Sequence, residues 1–268
     1  NNDLKSDFKM FRLLQGDVGS GKTIISFIAA ANVIKSNYQV ALMAPTEILA
    51  NQHYNLAKKV FLNSNVKIEL LTGNLDNKEK KKLNENLSSG KINFLIGTHA
   101  LFQKNVFFKK LGLIIIDEQH KFGVRQRIDL ASKGGKDCDV LLMSATPIPR
   151  TLILSIYGDM DVSRLKEKPI NRKEILTFSK PENKINEIIN YIKKNIKNKN
   201  QVFWVCPLIE ESKILDYTAA VKKYESLSKI FFNNVGLVHG GLDKEEKDSV
   251  LKDFLKKKNQ YFSFNYCY

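Results

Sequence analysis

The 268-residue sequence predicts an α/β fold: a parallel sheet flanked by helices, followed by a shorter α/β unit. Three observations carry this. Short apolar runs alternate with helical patterns from residue 11 onward, as βαβ units require. The run Leu113-Ile114-Ile115-Ile116 is apolar at every position, as a central parallel strand covered on both faces must be. A glycine-rich turn, Gly16 to Thr23, joins the first apolar run to the first helical pattern.

Taken in order, the apolar runs place strands at residues 11–14, 40–44, 68–71, 94–97, 113–116 and 140–143. Helical patterns fall between them at 22–36, 47–62 and 77–87. Around 158–175 the alternation breaks into Gly158, Asp159, Asp161, Lys168, Pro169 and Asn171, which reads as a linker. It separates a first domain, 1–165, from a second, 172–268. Alternation then resumes: strand 174–178, helix 181–196, strand 201–206, helix 211–232, strand 235–239, helix 243–255. Three strands fall short of the roughly five or six of a typical sheet, so the second domain reads as partial.

Composition narrows the classes. A hydrophobic content of 43% is ordinary for a globular chain and argues against wholesale disorder. No stretch approaches the roughly 18–20 apolar residues of a membrane span, and residues 1–10 carry no apolar signal core. Cys138, Cys206 and Cys267 are far apart and form no CxxC pair, which fits a reducing cytosol better than a disulfide or zinc framework. The net charge is +15, spread over both halves of the chain. Two readings of that charge stand: attraction to a polyanion such as nucleic acid, or a Lys- and Asn-heavy composition with few arginines.

Gly16-Asp17-Val18-Gly19-Ser20-Gly21-Lys22-Thr23 matches GxxxxGK[ST] in full, between a strand and a helix. Glycines let the backbone turn its N–H groups toward phosphate oxygens, and the helix N-terminus adds positive potential. Gly16, Gly19, Ser20, Gly21, Lys22 and Thr23 are the candidate phosphate residues. Lys22 would reach the β- and γ-phosphates, and the Thr23 hydroxyl would ligate Mg²⁺. Such a loop needs a carboxylate at a neighbouring strand end. Asp117-Glu118-Gln119-His120 follows the most apolar strand. Asp117 would hold the metal, and Glu118 would orient and deprotonate the attacking water.

These residues, with Ser144-Ala145-Thr146 downstream, resemble the superfamily 2 helicases. The bacterial RecG-type helicase is the closer likeness. It is carried by Ala44-Pro45-Thr46-Glu47-Ile48-Leu49-Ala50, Gly97-Thr98-His99-Ala100-Leu101, Asp117 to Arg127, and Ser144 to Thr151. Tyr157 to Ser163 and Trp204 to Ser212 add to it, and the likeness runs from about Met10 to about Leu255. The resemblance implies two RecA-like domains, the second partial. It implies ATP and Mg²⁺ as cofactors and branched double-stranded DNA as partner. Further implications are a monomer, no membrane, and a bacterial cytoplasmic, nucleoid-associated location.

By the same resemblance, Pro45, Thr46, Thr98 and His99 grip the DNA backbone. Gln119, His120, Ser144 and Thr146 couple hydrolysis to domain movement. Arg150 meets DNA or the opposite lobe, or is an ordinary surface arginine. His239-Gly240-Gly241 resembles a backbone contact on the second lobe. Trp204 could stack on a base, but its place in an apolar strand favours the core.

The sequence departs from the family at both ends. A counterpart of the family's N-terminal wedge domain and upstream adenine-contacting segment is not found. The last motifs, which supply arginines to the γ-phosphate, are replaced by a tail with five aromatics in its final eight residues. The expectation is a fragment with impaired turnover and a foreign tail, or else a tail that forms a strand completing the second sheet. Two further readings are kept: a Mg-ATP and DNA binding module without efficient hydrolysis, and the transcription-repair coupling translocase.

Overall fold

The computed structural model describes residues 2–6, 8–73, 75–103, 105–118, 138–146, 160–167, 174–206, 224–231, 235–239, 242–256 and 261–265. The chain divides into two compact units, Asn1–Glu174 and Ile175–Tyr268.

Seven strands form the sheet of the first unit: β1 (Phe11–Gly16), β2 (Gln39–Met43), β3 (Ile68–Leu71), β4 (Phe94–Gly97), β5 (Leu111–Ile116), β6 (Asp139–Ser144) and β7 (Asp161–Leu165). Helices α1 (Lys22–Lys35), α2 (Glu47–Val60) and α3 (Asn77–Ser88) connect successive strands. The strand order is β3-β4-β2-β5-β6-β1-β7. Every neighbouring pair is parallel.

The central strands are apolar throughout because both faces are covered. Val40 and Leu42 of β2 and Leu113 and Ile115 of β5 enter the core shared with Phe27, Ala30 and Val33 of α1 and Ala50 and Ala57 of α2. The alternate residues Ala41, Met43, Ile114 and Ile116 enter the opposite core with Leu83 and Leu87 of α3. Phe27 meets Phe94 edge-on at 5.8 Å between ring centroids, and Phe61 lies 6.1 Å from each. This aromatic trio joins α1, the end of α2 and β4.

One strand lies where a linker was expected. β7 pairs with β1 in the register Arg12↔Asp161 to Gly16↔Leu165. It is an edge strand carrying Asp161, Ser163 and Arg164, so it lacks the apolar run that marks a covered strand. Polar contacts help hold it: the Arg12 guanidinium donates to Ser163 Oγ (2.9 Å), Asp161 Oδ2 (3.1 Å) and Asp3 Oδ2 (2.6 Å).

The second unit contains α4 (Ile185–Lys197), β8 (Val202–Cys206), β9 (Val235–Val238), α5 (Lys244–Leu255) and β10 (Tyr261–Asn265), with residues 224–230 also helical. Its described sheet has the order β8-β10-β9 and is parallel. Ile192, Leu227, Phe231 and Val235 are buried, and Trp204 packs partly buried against them, on the core side of the two readings. Of the expected helix 211–232, residues 211–223 and 232 lie outside the described residues.

One expectation is corrected here, and of the two readings of the tail the strand is the one observed. Residues 174–178 form no strand: Ile175, Leu176 and Phe178 are exposed, because a short apolar run makes a strand only against a neighbour. The aromatic tail does form a strand, and β10 runs between β8 and β9. Among the described residues, no helix is long and apolar enough to cross a membrane.

Candidate functional site

In an all-parallel sheet every strand ends on the same edge, and ligands of open α/β sheets bind outside that edge. The order of the strands therefore decides which residues meet. Along the edge lie Thr98 and His99 after β4, then Pro45 and Thr46 after β2, then Asp117 and Glu118 after β5. Ser144 to Thr146 follow at the end of β6, and the 16–23 loop comes after β1. Groups scattered over 130 residues of sequence share one rim. Asp117 and the loop stand on next-but-one strands, roughly 10 Å apart from two strand spacings.

The loop is shaped by two glycines in the left-handed region, Gly19 at φ 81° and Gly21 at φ 93°. Gly21 is the N-cap of α1 and supplies no side-chain cap. A Cβ added there would meet nothing within 4 Å, so the concave side is open. Gly16 serves differently: a Cβ there would lie 2.6 Å from Ser20 Oγ and 2.9 Å from Leu165 Cβ, so glycine permits β7 to pack close. The Lys22 ammonium folds over the loop and donates to the carbonyls of Gly16 (2.6 Å) and Asp17 (3.0 Å). Ser20 Oγ is buried with no hydrogen-bond partner. Thr23 lies half-buried in the first turn of α1.

Asp117 is buried at the end of β5, its N–H donating to Met43 O at 2.9 Å. Both carboxylate oxygens are engaged. Oδ1 accepts from the Glu118 N–H (3.0 Å), and Oδ2 lies 2.7 Å from His53 Nε2 of α2. Glu118 adopts φ 48°, a left-handed conformation worth about 1–3 kcal/mol of strain for a non-glycine residue. Strain of this kind clusters where a side chain must be aimed.

Ser144 and Thr146 bond to each other through their hydroxyls at 3.0 Å, closing the turn after β6. Gln15, in the strand feeding the loop, donates from Nε2 to Thr146 O at 3.0 Å. On the other half of the rim, Thr46 caps α2 through Oγ1, which accepts from Leu49 N at 3.3 Å. Pro45 is half-buried, Thr46 and His99 are exposed, and Thr98 is buried with its Oγ1 unpartnered. Gln119, His120, Arg150, Gly240 and Gly241 lie outside the described residues. His239 is buried at the end of β9 in the second unit.

Two residues at the rim escaped the sequence reading. Gln15 announces itself as a polar residue closing an apolar strand. His53 falls in the buried stripe Ala50–His53–Ala57 of α2, where a polar residue needs a partner. Cys138 offers no competing chemistry, since burial pushes its thiol up to about 12.

The donor set fits a polyphosphate. It combines an ammonium, an uncapped helix N-terminus and an orphaned buried hydroxyl on one loop. Among the described residues, no group of three or more His, Cys, Asp or Glu side chains could cage a metal. A Mg²⁺ at this rim would be held by the Asp117 carboxylate and the Thr23 hydroxyl, with phosphate oxygens and waters completing the shell.

Residues 4–153 match the model of the DEAD/DEAH box helicases. Over 254 residues the chain is 49% identical to the ATP-dependent DNA helicase RecG of Bacillus subtilis, covering 94% of this chain and 37% of that protein. With the RecG helicase of Thermotoga maritima it shares 48% over 255 residues, covering 94% and 33%. The chain thus spans about a third of the length of these curated relatives. A solved structure of RecG bound to a three-way DNA junction matches with TM-score 0.75 and 42% identity, over 98% of this chain and 34% of that one. The helicase Mss116p bound to ssRNA and AMP-PNP matches with TM-score 0.67 at 20% identity over 99% of this chain and 58% of that one, a likeness of RecA-like fold alone.

Proposed function

The chain belongs to the DEAD/DEAH box helicase family, and we propose that it is the motor portion of a RecG-type, ATP-dependent helicase that remodels branched double-stranded DNA. The observation that carries this is the adjacency of the two chemistries: the 16–23 loop and Asp117 lie on next-but-one strands of one edge. The residues proposed to grip DNA continue the same edge.

In this reading Gly16, Gly19, Ser20 and Gly21 shape the cradle for the triphosphate of ATP. Lys22 gives up its loop carbonyls to bond the β- and γ-phosphates. Thr23 and Asp117 hold Mg²⁺, which when bound neutralises charge developing on the transferring phosphate. Glu118, held in its strained backbone, orients the attacking water and accepts its proton. Gln15 reports the state of β1 to the Ser144–Thr146 turn. Gln119, His120, Ser144, Thr146 and Arg150 pass the change to the second domain. Residues 1–165 and 172–268 are the two lobes, and the motor works as a monomer in the bacterial cytoplasm, on the nucleoid.

Pro45, Thr46, Thr98 and His99 touch the DNA backbone without reading sequence, so binding weakens steeply with salt. A polyanionic partner suits the net charge of +15, one of the two readings of that charge. The test is ATP hydrolysis measured with and without a three-way junction. Slow, impaired turnover that the junction still stimulates, and that is lost in Lys22→Ala and in Glu118→Gln, is the expected result. Turnover indifferent to both substitutions would falsify the assignment, and nucleotide binding without turnover would reduce the chain to a binding module.

A further inference from the structure

We propose that His53 is a positioning residue through which the Pro45–Thr46 end of α2 sets the orientation of the Asp117 carboxylate; the inference rests on the nucleotide and DNA reading above. The contact is short, 2.7 Å from Nε2 to Oδ2, between two buried side chains 64 residues apart in sequence. A carboxylate has no proton to give, so Nε2 carries the hydrogen and donates it.

The two holds on Asp117 differ in origin. Oδ1 is held by the amide of the next residue, so that bond travels with the turn. Oδ2 is held from another element, so that bond changes whenever α2 shifts. The backbone of Asp117 is anchored separately by its N–H bond to Met43 O at 2.9 Å. A movement of α2 therefore rotates the carboxylate and leaves the main chain in place.

The helix suits this role. Ala50 and Ala57 flank His53 on the buried stripe and leave room for the ring. A leucine there would bury more apolar surface, so packing does not account for the imidazole. Thr46, the N-cap, lies seven residues before His53, on nearly the same face and about 10 Å along the axis. Whatever pulls on the Thr46 end moves His53 with it. The edge proposed to meet DNA and the carboxylate proposed to meet Mg²⁺ thus share one rigid rod and one hydrogen bond.

The test measures binding of a fluorescent, non-hydrolysable ATP analogue to the full chain, in Mg²⁺ and in excess EDTA, with and without a three-way junction. In the wild type, DNA should raise the ratio of Mg²⁺ to EDTA affinity by about 5- to 150-fold, the usual size of a coupling between sites. In His53→Leu that DNA-induced gain should fall to about one. His53→Gln, whose amide nitrogen can replace Nε2, should recover most of it. Thermal melting checks the fold; if His53→Leu does not melt cooperatively, His53→Asn, polar but too short to reach Asp117, takes its place with the same expectation.

A folded His53→Leu or His53→Asn that keeps the wild-type gain overturns the proposal. So does a wild type whose Mg²⁺-dependent affinity ignores DNA, or a His53→Gln no better than His53→Leu. A wild type that binds the analogue no better than Lys22→Ala overturns the nucleotide reading instead.

Discussion

Helices α1 and α2 start on the same sheet edge, yet their first turns are finished in opposite ways. α2 is closed by its own chain, with Thr46 Oγ1 accepting from Leu49 N. α3 is closed likewise, by the Asp76 carboxylate on Glu79 N. α1 begins at Gly21, which has no side chain to offer, in a left-handed turn that points the loop away. Every helix start leaves four N–H groups without an intrahelical partner. At α2 and α3 a side chain supplies a cap, although α4 begins without one after Lys184. At α1 the chain withholds one and sets the Lys22 ammonium and the unpartnered Ser20 hydroxyl beside the gap. The proposed anion site is thus made partly by omission, whereas the capped helix α2 carries the His53 to Asp117 contact.

The contrast can be broken from either side. The largest effect is expected at Lys22: on the proposed function, Lys22→Ala removes the donor for the β- and γ-phosphates, and the hydrolysis rate should fall on the order of 10²–10³-fold in a steady-state assay. Next comes Gly21→Ala. A Cβ there meets no protein atom but requires φ 93° of an L-residue. Stability should drop by about 1–3 kcal/mol in denaturant titration, and analogue binding should weaken further because the methyl enters the cradle. The smallest is Thr46→Ala, which should destabilise by about 1 kcal/mol through the lost cap, while Thr46→Ser should be close to neutral. If Thr46→Ala lowers Mg-free nucleotide affinity as much as Gly21→Ala does, the two helix starts are not doing separate jobs.

The two units contrast in how well sequence patterns foretold them. In the first, the inner strands β2, β4, β5 and β6 and the end of β1 show as apolar runs that the burial matches from Leu13 to Met143, while the edge strand β3 shows through Ile68, Leu70 and Leu71 although only Leu71 is fully buried. β7 was missed because an edge strand held by Arg12, Asp161 and Ser163 has little reason to be apolar. In the second unit, residues 174–178 carry a short apolar run but pair with no strand among the described residues, while Tyr261–Asn265 has neighbours on both sides. Local preference alone could not separate these two cases.

What the sequence determined by itself was chemistry: a glycine-rich turn ending in Lys22-Thr23, an acidic pair after an apolar strand, and the motifs that carry the family likeness. These are short-range patterns, set by which residues the backbone turn and the covered strand can accept. What only the tertiary structure decided was adjacency. The order β3-β4-β2-β5-β6-β1-β7 lays Thr98, Thr46, Asp117, Ser144 and the loop along one rim, and it brings His53 to Asp117 across 64 residues. Strand order is fixed by which faces bury together and which crossovers can close. Those are properties of the whole packed sheet and belong to no single segment of it.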